Sequence, residues 1–270
     1  GASFSTEFDV ATNQVTSHNV IARLPGTTHP DETVLYTAHW DHIGMGEPDA
    51  TGDRIFNGAV DNASGTAGLL ELARMYGRAP RTERSVVMIS FTGEESGLLG
   101  SEYYAVNPVY PLPRTVGGFN MDSMNVYGRV TGLGVTGYGQ SDFDERLAVA
   151  IQSQGRSLVP DYENAAGTYY RSDHFPLAKR GVPMAYAGSR GDFRDEPIAE
   201  RQAARAEYGA KRYHQAADEW SPDWDYSGMI EDLTVFYDVG RALANGRDWP
   251  EWKTGSEFGP VRATTASERP

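Results

Sequence analysis

Residues 39 to 42 read His-Trp-Asp-His, residues 61 and 62 Asp-Asn, residues 94 and 95 Glu-Glu, and residues 213 and 214 Tyr-His, with a further acid at Asp122. These are side chains that ligate metals and move protons. Two adjacent carboxylates at the end of an apolar run, as Glu94 and Glu95 are, cost free energy unless something positive sits between or beside them. The chain has no cysteine, so disulfides and thiolate sites are excluded, and a metal must be held by imidazole and carboxylate. His39, Asp61, one or other of Glu94 and Glu95, Asp122 and His214 make a mixed set of oxygen and nitrogen donors. With one carboxylate shared, such a set suits two zinc ions, each keeping a position for water. Mixed donors favour zinc, with cobalt or manganese as substitutes, over magnesium or calcium.

These residues need rigid elements to bring them together. Val86 to Phe91 is an uninterrupted, β-branched apolar run that reads as a strand buried on both faces. It stops at Gly93 and delivers Glu94 and Glu95 to its carboxyl end, where open α/β sheets place their ligand sites. Thr33 to Ala38 delivers His39, and Val116 to Met121 delivers Asp122, in the same way. Asn62 and Ser64 are capping candidates for an amphipathic helix over Ala67 to Tyr76, so Asp61 stands just ahead of a helix N-terminus.

The spacing predicts further strands over Gln14 to Leu24, Val130 to Val135 and Val182 to Ala187. It predicts helices over Leu98 to Val106, Asp142 to Ser153 and Ile230 to Ala244, with a charged, weakly helical stretch from Glu196 to Tyr208. Gly44 to Gly58 and Gly188 to Asp195 read as loops, Tyr162 to Ser172 as irregular and aromatic, and the chain beyond Gly246 as a docked or loose tail. Leu69, Leu70, Leu98 and Leu99 are expected in the core.

At 270 residues, 39% of them hydrophobic and without an internal repeat, the chain is expected to form a single α/β domain over 1–270. Its net charge of -13 argues against a nucleic acid or an anionic membrane as partner, because those surfaces need clustered Lys and Arg. No apolar run approaches the roughly 18 residues of a membrane span, and no signal peptide is legible. The opening Gly1 suggests that a leader, a prodomain or another upstream domain is absent from this chain. Oligomeric state has no signature in the sequence.

Taken in order, the motifs resemble those of a known family. They are His39-x-Asp41, Gly58-Ala59-x-Asp61-Asn62-Ala63-Ser64-Gly65, Phe91-x-Gly93-Glu94-Glu95-x-Gly97-Leu98-x-Gly100-Ser101, Asn120-x-Asp122, Arg171-Ser172-Asp173-His174 and Tyr213-His214-Gln215. Over roughly residues 15 to 245 they resemble the co-catalytic zinc peptidases of the M28 family, the bacterial secreted aminopeptidases in particular. The resemblance implies a central mixed, largely parallel sheet sandwiched between helices, the zinc-dependent exopeptidase fold. It implies a two-zinc aminopeptidase that releases N-terminal residues from peptides via a metal-bridging water and acts in a secreted or periplasmic setting.

By the same resemblance Glu95 and His214 hold one zinc, His39 and Asp122 the other, and Asp61 bridges both. Glu94 acts as general base and then general acid, Tyr213 donates to the developing oxyanion, and Asp41 orients the imidazole of His39. Tyr170, Arg171 and Asp173 face substrate, and the Asp61-Asn62 peptide is cis. Some family members carry a protease-associated domain, inserted or upstream, and the opening at Gly1 leads to the expectation that one is missing from this sequence. A carboxypeptidase or small-amide hydrolase of the same superfamily is the alternative, followed by a single-zinc glutaminyl cyclase-like enzyme and a binding domain without catalysis. His42 reads as a loop side chain near the site, His174 as support or packing behind the pocket wall, and Asp218 as a cap or an aid to the ligand geometry.

Overall fold

The structure is a computed structural model and describes residues 1–160 and 167–269. The part of the expected aromatic stretch that runs from Tyr162 to 166 lies outside the described residues. The strands are Val20–Leu24 (β1), His29–His39 (β2), Gly44–Met45 (β3), Ile55–Phe56 (β4), Arg84–Phe91 (β5), Thr115–Asn120 (β6), Val130–Thr136 (β7), Ser157–Pro160 (β8) and Met184–Phe193 (β9). The α-helices are Gly65–Arg78 (α1), Leu99–Val106 (α2), Phe143–Ala150 (α3), His174–Ala178 (α4), Ile198–Glu207 (α5), Ser227–Asn245 (α6) and Gly259–Thr264 (α7).

A seven-stranded sheet in the order β1-β5-β2-β6-β9-β7-β8 crosses the molecule. Strands β5, β2, β6 and β9 run parallel, β1 is antiparallel to β5, and β7, which pairs antiparallel with β9, takes β8 in parallel beside it. The sheet is thus mixed and largely parallel, with helices on both faces. Alternation along the strands builds the two halves of the core. Val34, Tyr36 and Ala38 pack with Leu72 of α1, Leu147 of α3 and Phe236 of α6, whereas Leu35, Val87 and Ile89 pack with Tyr104 of α2 and Leu177 of α4. Gly240 lets α6 approach the sheet, since a Cβ there would lie 1.7 Å from the Tyr36 hydroxyl. That hydroxyl donates to the Phe236 carbonyl at 2.8 Å.

Several expectations shift. β1 begins at Val20, not Gln14. The loop expected over Gly188 to Asp195 is mostly strand, because β9 continues to Phe193 by pairing Gly188 with Gly134, Ser189 with Leu133 and Arg190 with Gly132. A partner strand supplies the hydrogen bonds that the polar local sequence does not advertise. Leu69 is core, but Leu70 is 67% and Leu99 60% exposed, and Leu98 lines a cavity. On α1 the face that carries Leu69 and Leu72 meets the sheet, which leaves Leu70 outside. The tail is docked: Arg262 of α7 donates to the Thr115 and Val116 carbonyls of β6 at 3.0 and 3.2 Å. Among the described residues no helix is long and apolar enough to cross a membrane.

Candidate metal centre

The parallel strands β2, β5 and β6 end side by side, and their carboxyl ends carry His39, the Glu94-Glu95 turn and Asp122. Asp61 arrives from the entry to α1. There the Asp61-Asn62 peptide is cis, and Asn62 Oδ1 accepts the Gly65 amide at 2.9 Å as a cap. Asp218 secures this entry: its carboxylate accepts the amides of Val60 and Asp61 at 3.0 and 3.1 Å. His214 comes from the far end of the chain in a left-handed conformation, φ 58°. Its ring is stacked on that of Tyr213 at 3.9 Å.

The donor atoms converge. His39 Nε2 lies 3.2 Å from Asp61 Oδ1 and 3.3 Å from Asp122 Oδ1. His214 Nε2 lies 3.1 Å from Asp61 Oδ2 and 3.3 Å from Glu95 Oε2. Zinc bonds of 2.0–2.2 Å in tetrahedral array imply donor separations of roughly 3.3–3.5 Å. The four spacings, 3.1–3.3 Å, lie at or just under that range, and Asp61 offers one oxygen to each pair. His39, Asp61 and Asp122 form one group able to hold a metal, and His42, Asp61 and Glu95 another.

Supporting contacts fix these groups. A buried chain runs from Thr37 to Asn120 Oδ1 at 2.6 Å, from Asn120 Nδ2 to Ser172 at 2.8 Å, and from the Ser172 hydroxyl to Asp122 Oδ2 at 2.6 Å. Asp41 does not reach His39 with its carboxylate, which lies 3.7 Å from Nδ1. The Asp41 backbone carbonyl is the closer partner of His39 Nδ1, at 3.0 Å. Its carboxylate instead accepts the amides of Glu94 and Glu95 at 3.2 and 3.3 Å, and so shapes the turn that separates the two glutamates.

Burial and the crowding of like charge raise proton affinity within the set. Burial, then the Asp122 charge, pushes Glu94 up to about 9. Burial also raises Asp61. For His39 burial works downward, but the hydrogen bonds with Asp122 and Asp61 prevail and carry it up to about 12.

A 630 Å³ cavity opens over the site and is lined by Asp61, Glu94, Glu95, Asp122, Tyr170, Arg171, Tyr186, Tyr208, Tyr213 and His214, among others. Tyr170 and Arg171 thus face the cavity, while Asp173 does not. Asp173 is 0% exposed behind the wall at the start of α4, and burial pushes its carboxyl up to about 7, so contact with substrate is not available to it. His174 beside it is equally sealed, against Tyr169 and Tyr186. His42 is more than a neighbour of the site: its Nδ1 lies 2.6 Å from Glu95 Oε1. Its position three residues after His39, on the same strand end, is the one sequence signal that marks it.

A family model described as Peptidase family M28 matches residues 19–237. A probable zinc metalloprotease of Pyrenophora teres f. teres is 41% identical over 86 residues, which make up 32% of this chain and 18% of that protein. Aminopeptidase YwaD of Bacillus subtilis is 32% identical over 180 residues, 64% of this chain and 36% of that protein. Among solved structures, an aminopeptidase from Aneurinibacillus sp. strain AM-1 superposes with a TM-score of 0.59 at 23% identity, covering 86% of this chain and 49% of that one. The chain therefore spans only part of these relatives, about half of the structural one and less of the others.

Proposed function

We propose that this chain, which belongs to peptidase family M28 and so to a family of zinc metallopeptidases, hydrolyses peptide bonds with two zinc ions and releases N-terminal residues. One observation carries the reading. Asp61 presents Oδ1 to His39 at 3.2 Å and Oδ2 to His214 at 3.1 Å, each just under the spacing of two ligands on one tetrahedral ion. His39, Asp122 and Asp61 would hold one ion, and Glu95, His214 and Asp61 the other. Bound there, the ions would supply Lewis acidity toward a carbonyl oxygen and bring the ionisation of water near neutrality, to about 7.

Glu94 is left free of that duty. Its side chain is mostly buried and its Oε2 lies 4.0 Å from His39 Nε2, within reach of a water and a leaving amine but outside the tighter donor spacings. A carboxyl whose proton affinity is raised by its surroundings suits a base that accepts a proton and then returns it. Tyr213 stands at the cavity edge. Burial and the Asp61 charge push its phenol up to about 12, so it stays protonated and can donate to a developing oxyanion. The likeness to aminopeptidase YwaD of Bacillus subtilis favours release from the N-terminal end. Arg171 makes no ion pair among the described residues, which favours the second reading, a carboxypeptidase that binds a free carboxylate there.

The test is kinetic. Glu94→Gln should keep its zinc and lose roughly 10²- to 10⁴-fold in kcat, and near-normal turnover would sink the assignment. Peptides with an acetylated amine should resist cleavage while C-terminal amides are cut. The reverse pattern would select the carboxypeptidase reading. A single zinc per chain would point instead to a cyclase-like centre.

A further inference from the structure

We propose that His42 is a positioning residue that donates its Nδ1 hydrogen to Glu95 Oε1, leaving Oε2 turned toward His214 and the ion between them. The proposal rests on the reading of Glu95 as a zinc ligand. Distance separates the two roles His42 could have. Co-ligands of one tetrahedral zinc lie roughly 3.3–3.5 Å apart, and the pairs made by His39 and His214 fall at 3.1–3.3 Å. The His42 Nδ1 to Glu95 Oε1 distance is 2.6 Å, too short for two ligands of one ion and suited to a charge-assisted hydrogen bond.

The ring's other nitrogen agrees. Nε2 is buried without a hydrogen-bond partner, so a neutral ring keeps its hydrogen on Nδ1, where an acceptor waits. The seat is also built for this ring. Gly58 sits at φ +61°, and a Cβ on it would lie 2.6 Å from His42 Cγ and 2.8 Å from His42 Cβ. The imidazole therefore packs against bare backbone next to the entry that carries Asp61. Glu95 is held on two sides, by His42 at Oε1 and by the Asp41 carboxylate at its amide. Hydrogen bonds to a ligating carboxylate fix its orientation and tune its metal affinity.

The experiment is zinc titration of the metal-free chain, by calorimetry or chelator competition, with bound metal counted by elemental analysis. Compared with wild type, His42→Ala should weaken one of two sites by about 10- to 100-fold and leave the other unchanged. His42→Asn places an amide nitrogen where Nδ1 stands, so it should restore affinity to within a few-fold of wild type. If His42→Ala folds poorly, His42→Leu keeps volume without a donor and takes its place. Wild-type affinity at both sites in the Ala or Leu variant overturns the proposal. An Asn variant as weak as Ala also overturns it, because the ring nitrogen would then be a ligand. If wild type binds a single ion, the two-zinc reading fails by itself. The His42 proposal then stands only if that site weakens in His42→Ala and recovers in His42→Asn.

Discussion

His174 shows how far one side chain can be moved by its surroundings. It is fully buried between the rings of Tyr169 and Tyr186, and burial pushes it down to about 3. In the unfolded chain it would titrate near 6.5. Folding therefore excludes a proton that the unfolded state binds, and stability is lost as pH falls from about 6.5 through about 3. Replacing it, His174→Gln, should flatten the acid side of the stability profile by about one proton across that window. Denaturant unfolding at several pH values measures this, and an unchanged slope would mean that the ring finds a way to ionise in place. The same burial that removes Asp173 from the cavity makes it unsuited to binding substrate, whatever its place in the Arg171 to His174 motif. Such neighbours in sequence as Arg171 and Asp173 take opposite sides of one wall.

Elements are locked at the end of the sheet away from the cavity. Arg84, the first residue of β5, is fully buried. Its Nε donates to Glu32 Oε2 of β2 at 2.5 Å, and its guanidinium also reaches the Leu243 carbonyl of α6 at 2.7 Å and the Asp248 carbonyl at 3.0 Å. Glu32 takes a second partner in Arg247 at 3.1 Å. Burial works to raise Glu32, but these two guanidinium groups hold it below the usual carboxylate range. Arg84→Met leaves Glu32 with only the half-exposed Arg247 and takes the donor from the Leu243 and Asp248 carbonyls, so it should cost about 3 kcal/mol in urea denaturation, the low end for breaking a buried pair. The combined Glu32→Leu, Arg84→Met variant should recover much of that loss, and a double mutant no better than the single would contradict the account. Neither periodicity nor composition marks this network. The apolar runs of β2, β5 and β6 announce buried parallel strands, whereas an Arg at a strand start looks like an edge until a helix terminus is folded onto it.

At the scale of the whole molecule, metal binding is coupled to protonation and to stability. Without an ion, the set keeps protons on groups such as His39, which its acidic neighbours carry up to about 12. Ligation requires neutral imidazole and ionised carboxylate. Zinc uptake should therefore release protons, and apparent affinity should rise with pH. Calorimetry in buffers of different ionisation enthalpy would register the release, and a binding enthalpy independent of buffer would contradict it. Stripping the metal with a chelator should abolish hydrolysis and lower the unfolding temperature, and zinc at a thousand times Kd should return about 4 kcal/mol of stability. The tail shares in the architecture. Tyr170 donates to Glu257 at 3.1 Å, and Phe258 stacks on Tyr169 at 5.7 Å, so the chain beyond Gly246 braces the same wall that faces the cavity.

Hydrophobic runs ending in His, Glu and Asp were enough, by themselves, to announce parallel strands that carry ligands at their carboxyl ends, because burial on both faces and the position of polar residues are local properties of the sequence. The candidate donors His39, Asp61, Asp122 and His214, with one or other of Glu94 and Glu95, could be named from residue types and positions, and the choice of Glu95 came from the family resemblance. Which atoms meet was decided by tertiary structure alone. Only the fold gives Asp61 one oxygen for each half of the site, turns the Asp41 carboxylate onto the Glu94 and Glu95 amides, carries β9 through a polar stretch, and seats His42 on Gly58. The reason is physical: donor spacings of about 3 Å are set by chain segments brought together across the sequence, and no local pattern records them.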